Sequence, residues 1–163
     1  MAGQLTRDDA FSIADPAIAS LWIVRMPFGA DLKDIVAESI TMTKYKTPSV
    51  ARFNGGSNSY FPGTSDIDGL AITFYETHDY RVTRYFEKWR LSVFNPESGV
   101  YGMPKDYKQP IKTELYSNLS TSPVMEYEYK YCWPTDIQAF EMNYTDETAR
   151  ITVQVQLSVD TVK

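Results

Sequence analysis

Cysteine and histidine are almost absent from this chain, with one of each in 163 residues. A single cysteine, Cys132, forms no internal disulfide, and beside Trp133 in an aromatic stretch it reads as a small buried hydrophobe. His78 has no cysteine or second histidine within ligand spacing, which speaks against a zinc site and leaves it a structural residue ahead of a helix. Long apolar runs are missing too. Nothing approaches the roughly 20 residues of a membrane-spanning helix, although hydrophobic residues make up 43% of the chain, enough for the core of one domain. The first sixteen residues carry Arg7, Asp8, Asp9 and Asp15 where a secretory leader needs an apolar stretch, so synthesis in a cytoplasm is expected.

Reactive constellations are also missing. There is no Gly-x-Ser-x-Gly elbow, phosphate-cradling glycine loop, Cys/His pair or His-Glu-x-x-His. Paired carboxylates remain, Glu126 with Glu128 and Asp66 with Asp68. Two residues apart on a strand they share one solvated face about 7 Å apart, where neither is pushed toward an acid's role. No enzyme activity and no cofactor are expected. The net charge is −5 and the sixteen basic residues are scattered, which is not the footprint of a nucleic-acid binder.

What the chain does have is alternation and aromatic side chains. In residues 151–159, Ile151, Val153, Val155, Leu157 and Val159 alternate with polar residues, the period of a strand buried on one face. Upstream, Tyr127, Tyr129 and Tyr131 fall on one face of a strand and Glu126, Glu128 and Lys130 on the other. Trp133-Pro134-Thr135 is expected to stop that ladder, because proline has no N–H to donate. Short strands are expected over 21–26, 68–75, 111–119 and 139–144, with residues 31–43 leaning to strand over helix.

One helix is expected. Val82, Tyr85, Phe86, Trp89 and Val93 recur at spacings of three and four, with Thr77 placed as N-cap, Asp79 in the first turn and Asn95-Pro96 as the stop. Arg81, Arg84 and Lys88 share one side of it, either as a solvated face or as a basic ridge for an acidic partner. Residues 1–20 form a possible N-terminal arm. Residues 44–66 read as a long loop rich in turn formers, yet they carry Phe53, Tyr60 and Phe61. Such a loop either tucks against its own domain or docks on another subunit. The twelve tyrosines and three tryptophans also suit a carbohydrate-binding β-sandwich.

The Tyr/Lys-rich strand running into Trp133-Pro134-Thr135-Asp136, the strand over 139–144, the acidic turn Thr145-Asp146-Glu147-Thr148 and the final alternating strand resemble the C-terminal end of tail-tube proteins of contractile-tailed bacteriophages. The resemblance extends upstream through residues 69–94 and fades before residue 60. It implies a single mainly β domain, a two-sheet sandwich or barrel with one amphipathic helix, closing into a ring with neighbouring subunits. It implies stacked, hexameric rings forming the inner tube of a virion tail, a conduit for DNA ejection. The implied partners are other copies of the chain, the tail sheath, a baseplate or tube initiator, the tape-measure protein and passing genomic DNA that is not specifically bound; no membrane is involved. On that reading Phe53, Tyr60 and Phe61 anchor an inter-ring loop. Glu126, Glu128, Gln154, Gln156 and Ser158 face the lumen, and Arg81, Arg84 and Lys88 meet a neighbour or the sheath. A baseplate tube initiator and a type VI secretion tube subunit share the same fold and are the rivals.

Overall fold

The computed structural model describes residues 21–28, 37–117, 121–138 and 150–163. In chain order the strands are β1 (Trp22–Arg25), β2 (Ala37–Thr41), β3 (Tyr45–Lys46), β4 (Ser49–Asn54), β5 (Ser57–Pro62), β6 (Asp66–Ile67) and β7 (Leu70–Tyr75). Helix α1 (Arg81–Val93) follows, then β8 (Phe94–Asn95), β9 (Val100–Tyr101) and a short helix α2 (Pro104–Tyr107). The chain finishes with β10 (Gln109–Tyr116), β11 (Pro123–Ile137), β12 (Thr152–Ser158) and β13 (Thr161–Val162). The expected 139–144 strand, the acidic turn after it, the 1–20 arm and the first part of 31–43 lie outside the described residues.

Alternation builds the sheet. β12 buries Val153, Val155 and Leu157, and its antiparallel neighbour β7 buries Leu70, Ile72 and Phe74 on the same face. The full ladder runs β1-β10-β11-β12-β7-β2, with β13 also paired to β11. Among the described residues its two end strands are β1 and β2, and they do not pair with each other. Helix α1 lays Val82, Tyr85, Phe86 and Trp89 on the apolar face, where they join Ile111, Tyr129 and Cys132 in one core. The Phe86 ring is stacked on Trp89 at 6.2 Å and lies 5.5 Å from Phe74.

β11 corrects two expectations. Trp133-Pro134-Thr135 does not end it: the strand continues to Ile137, with buried Pro134 opposite Leu157 and the register slipping between Pro134 and Asp136. The hydroxyl of Thr135 donates to the Gln156 carbonyl at 3.1 Å, so a side chain bonds to the neighbouring strand where proline interrupts the ladder. Tyr131 does not share the face of Tyr127 and Tyr129. It sits at φ 59°, in a bulge where β11 advances from Tyr129 to Cys132 while β10 moves only from Ile111 to Gln109, and this turns its ring outward.

The helix ends also differ from expectation. Glu76 is the main cap: its carboxylate accepts the N–H groups of Val82 (3.1 Å) and Thr83 (2.9 Å), while the Thr77 hydroxyl takes only that of Arg81 (3.3 Å). Asp79 precedes the helix and pairs with Arg81 at 3.5 Å. At the other end α1 stops at Val93, ahead of Asn95-Pro96, because β8 pairs with β9 in a small ribbon. Gly102 closes this corner, donating its N–H to the Val93 carbonyl at 2.9 Å. A Cβ there would lie 1.9 Å from the Ser92 carbonyl oxygen, so only glycine fits.

The expected long loop at 44–66 is a β-ribbon. β2 pairs with β7, β3 with β6 and β4 with β5, three nested antiparallel pairs that make one long hairpin leaving the sheet. Its tip is Gly55-Gly56, both at positive φ (54° and 135°), as a two-residue hairpin turn requires. The turn formers seen in the sequence mark this tip and the breaks between the pairs.

The edge strand β1 is short and is clamped to β10. Arg25 donates to Glu114 through two nitrogens, Nη2 to Oε2 at 2.9 Å, and the Tyr116 hydroxyl adds a third bond at 2.7 Å. These bonds hold the Glu114 carboxyl below its ordinary value of 4.5, the hydrogen bond from Arg25 first. A lowered carboxyl contributes stability above the unfolded-state value and loses it as pH falls through the folded-state value. Acid titration of the purified subunit should therefore show stability falling below about pH 4.5, and Glu114→Gln should flatten that part of the curve. In urea, Phe86→Ala should cost about 3–5 kcal/mol, the range for an aromatic removed from a closed core.

Candidate assembly surfaces

The β4–β5 ribbon is exposed on both faces. Every residue from Ser49 to Pro62 is exposed except Ser59, which is partly covered. Val50 stands opposite Phe61, with the Arg52 guanidinium 5.5 Å over the Phe61 ring. Ala51 stands opposite Tyr60 and Phe53 opposite Asn58, on the reverse face. Phe53 is 75% exposed and Tyr60 69%. A two-stranded ribbon by itself is marginally stable in water, and one with aromatics on both sides has two faces to cover. The three residues singled out in the sequence are therefore brought onto one protrusion, Phe61 on one face and Phe53 with Tyr60 on the other.

The five polar candidates all lie on the side of the sheet away from the core, in two groups. Gln154, Gln156 and Ser158 alternate with the buried residues of β12, flanked by Thr73 and Ala71 of β7 and by Asp136 of β11. Glu126 and Glu128 are on the first half of β11, opposite Glu114 and Lys112 of β10. Glu128 also pairs with Lys130 at 3.5 Å. This wall thus carries lysines among its glutamates.

Arg81, Arg84 and Lys88 are all exposed on the side of α1 turned from the core. Lys88 borders a cavity of about 300 Å³ floored by Tyr85 and Trp89.

Sequence reasoning passed over a second apolar cluster. Leu91, Val100, Tyr101 and Met103 are exposed around the β8–β9 ribbon, and the Phe94 and Tyr101 rings meet at 4.7 Å. The signal was Asn-Pro-Glu-Ser-Gly between Phe94 and Val100-Tyr101, a turn flanked by strand formers.

The buried hydroxyl and thiol are not poised for chemistry. Burial pushes both Tyr129 and Cys132 up to about 12, which keeps them protonated at neutral pH. Among the described residues no group of three or more His, Cys, Asp or Glu side chains is placed to share a metal ion. No helix of the described residues is long and apolar enough to cross a membrane. The arrangement offers surfaces to other proteins.

The fold is shared with solved structures. A chain in the cryo-EM structure of the anti-feeding prophage baseplate has TM-score 0.65 at 11% identity, covering 93% of this chain and 96% of that one. A chain in the sheath-tube complex of an extracellular contractile injection system, PVC, has TM-score 0.61 at 17% identity, with 97% of each covered. A type six secretion system protein has TM-score 0.50 at 9% identity, over 87% of this chain and 80% of that one. No curated protein matches the chain. The family model described as phage tail tube protein matches residues 37–161. The chain therefore belongs to the phage tail tube protein family, whose model covers most of its length.

Proposed function

We propose that this protein forms the inner tail tube of a contractile-tailed bacteriophage, as stacked six-subunit rings through which genomic DNA is ejected. The observation that carries this reading is the β4–β5 ribbon, a protrusion with exposed aromatics on both faces that nothing among the described residues covers. Its length suits a joint between one ring and the next. Burying one such ring is worth roughly 1.5–3 kcal/mol, and the gain repeats at every subunit. Among the described residues the ladder ends at β1 and β2, and a sheet edge presents unpaired backbone groups. Joining these ends head to tail around a rotation axis removes them, and an open head-to-tail contact along the axis makes a filament.

The wall of Gln154, Gln156, Ser158, Glu126 and Glu128 then lines the channel, wet and without a strong grip on phosphate. The helix lies on the opposite side of the sheet, so Arg81, Arg84 and Lys88 belong to the outer surface, where a neighbouring subunit or the enclosing sheath is met. Baseplate initiator, sheath and tape-measure proteins are the remaining partners. The protein is made in the host cytoplasm and ends in the virion tail. The second reading, a tube initiator or a secretion-system tube, uses the same surfaces. An initiator forms rings that do not extend alone, and a sheath gene immediately upstream favours the phage tube.

Negative-stain microscopy of purified protein should show rings with a central hole or tubes, and sedimentation should show a species several times 18.6 kDa. Dispersed monomers that bind glycans would return the protein to the carbohydrate-binding reading. Deleting residues 54–58 should leave the fold intact and shorten or abolish tubes; tubes of normal length would remove the ribbon from the mechanism. Glu126→Arg with Glu128→Arg should allow assembly but slow DNA ejection, more at low salt where screening is weaker. Unchanged ejection with weakened sheath attachment would place that face outside.

A further inference from the structure

The large exposed apolar side chains of the described residues fall mainly into three groups. Ile23, Val124 and Met125 lie at one end of β1, β10 and β11, beside the β1 edge that lateral pairing would cover. The β4–β5 ribbon is the second. The third is the corner after α1, where Leu91, Phe94, Val100, Tyr101 and Met103 surround the β8–β9 pair. That corner is tied down locally: Gly99 donates its N–H to the Asn95 carbonyl and Gly102 to the Val93 carbonyl, both at 2.9 Å, and the Phe94 and Tyr101 rings pack at 4.7 Å. Yet Tyr101 is 76% exposed. A preformed apolar surface of this kind loses little freedom when a partner covers it.

Charge selects the occupant. Between Ser49 and Pro62 the ribbon carries one charged residue, Arg52, and between Phe94 and Met103 the corner carries one, Glu97. Among the described residues neither has an ion-pair partner. The Arg52 guanidinium lies over Phe61 instead, on the ribbon face that also holds Val50. We infer that this face seats on the β8–β9 corner of a second copy in the adjacent ring, with Phe61 against the paired Phe94 and Tyr101 rings and Arg52 against Glu97. The contact rests on the reading of the ribbon as the joint between rings and supplies the surface that receives it. Ribbon and corner are different patches of one chain, so the contact is head-to-tail and repeats along the axis without closing.

Disulfide trapping tests this on the full-length chain carrying Phe61→Cys and Tyr101→Cys. Both side chains are exposed in the subunit, so neither exchange opens the core. Under mild oxidation this pair should link chains roughly tenfold faster than the control pair Phe61→Cys with Val124→Cys, since docking raises the local concentration of the two thiols. Cys132 is buried with its thiol raised to about 12, so it does not compete. The product should be a ladder on a non-reducing gel that runs past the subunit number of one ring. Separately, Arg52→Glu or Glu97→Arg alone should raise the concentration needed for tubes about two- to five-fold, the size of one exposed ion pair, and the two together should restore it. An intrachain product overturns the assignment to a second copy, and a ladder that stops at one ring overturns the assignment to an adjacent ring. Tubes in which the control pair links as fast overturn this contact and leave the ribbon as the joint. A chain that stays monomeric at every concentration, with neither pair linking, overturns both.

Discussion

Strand β11 pairs with β10 along its first half, with β13 at its middle around Tyr129 and Lys130, and with β12 from Trp133 onward, and the helix packs on it. Both halves of the ladder are positioned by this one strand. It has to bend between them, and three local devices let it: the outward Tyr131 bulge, the buried Pro134, and the Thr135 hydroxyl bonded across to β12. Straightening it would separate Tyr129 and Cys132 from Val155 and Leu157, and the single core beneath α1 would divide.

The division between faces has a simple origin. Alternation on β7 and β12 puts every large apolar side chain under the helix and every amide and hydroxyl on the other side. A helix can cover only one face. The opposite face is therefore left polar by the folding pattern itself, as the proposed lumen wall requires. The long hairpin obeys different rules: beyond Thr41 and Leu70 it is held mainly by backbone pairing, with a few side-chain bonds such as Thr47 to Ser65, and the Phe61 ring lies under Arg52.

Period was legible in the sequence, and exceptions to period were not. The β7 and β12 strands, the buried stripe of α1 and the polar character of Gln154, Gln156 and Ser158 all follow from spacing that tertiary contacts reinforce. The passage of β11 through Trp133-Pro134-Thr135 was hidden because the lost donor is compensated by a threonine one residue on, a bond visible only once β12 is alongside. Tyr131 was placed on the wrong face because one residue in left-handed geometry shifts all that follows. The 44–66 ribbon was read as loop because its strands are broken by Pro48 and Gly63, and strands of two to six residues give little periodicity to see. The helix cap was assigned to Thr77 because its spacing fits, whereas the longer Glu76 side chain reaches two amides at once.

The central claim is that the β4–β5 ribbon is the joint between rings. Hydrogen exchange of its backbone amides, measured on dilute subunit and on assembled tubes at the same pH and temperature, tests it most directly. The account predicts fast exchange from Val50 to Phe61 in the free subunit and strong protection in tubes, with the β7 and β12 amides protected in both. Equal exchange of the ribbon in the two states, with protection gained elsewhere, would contradict it.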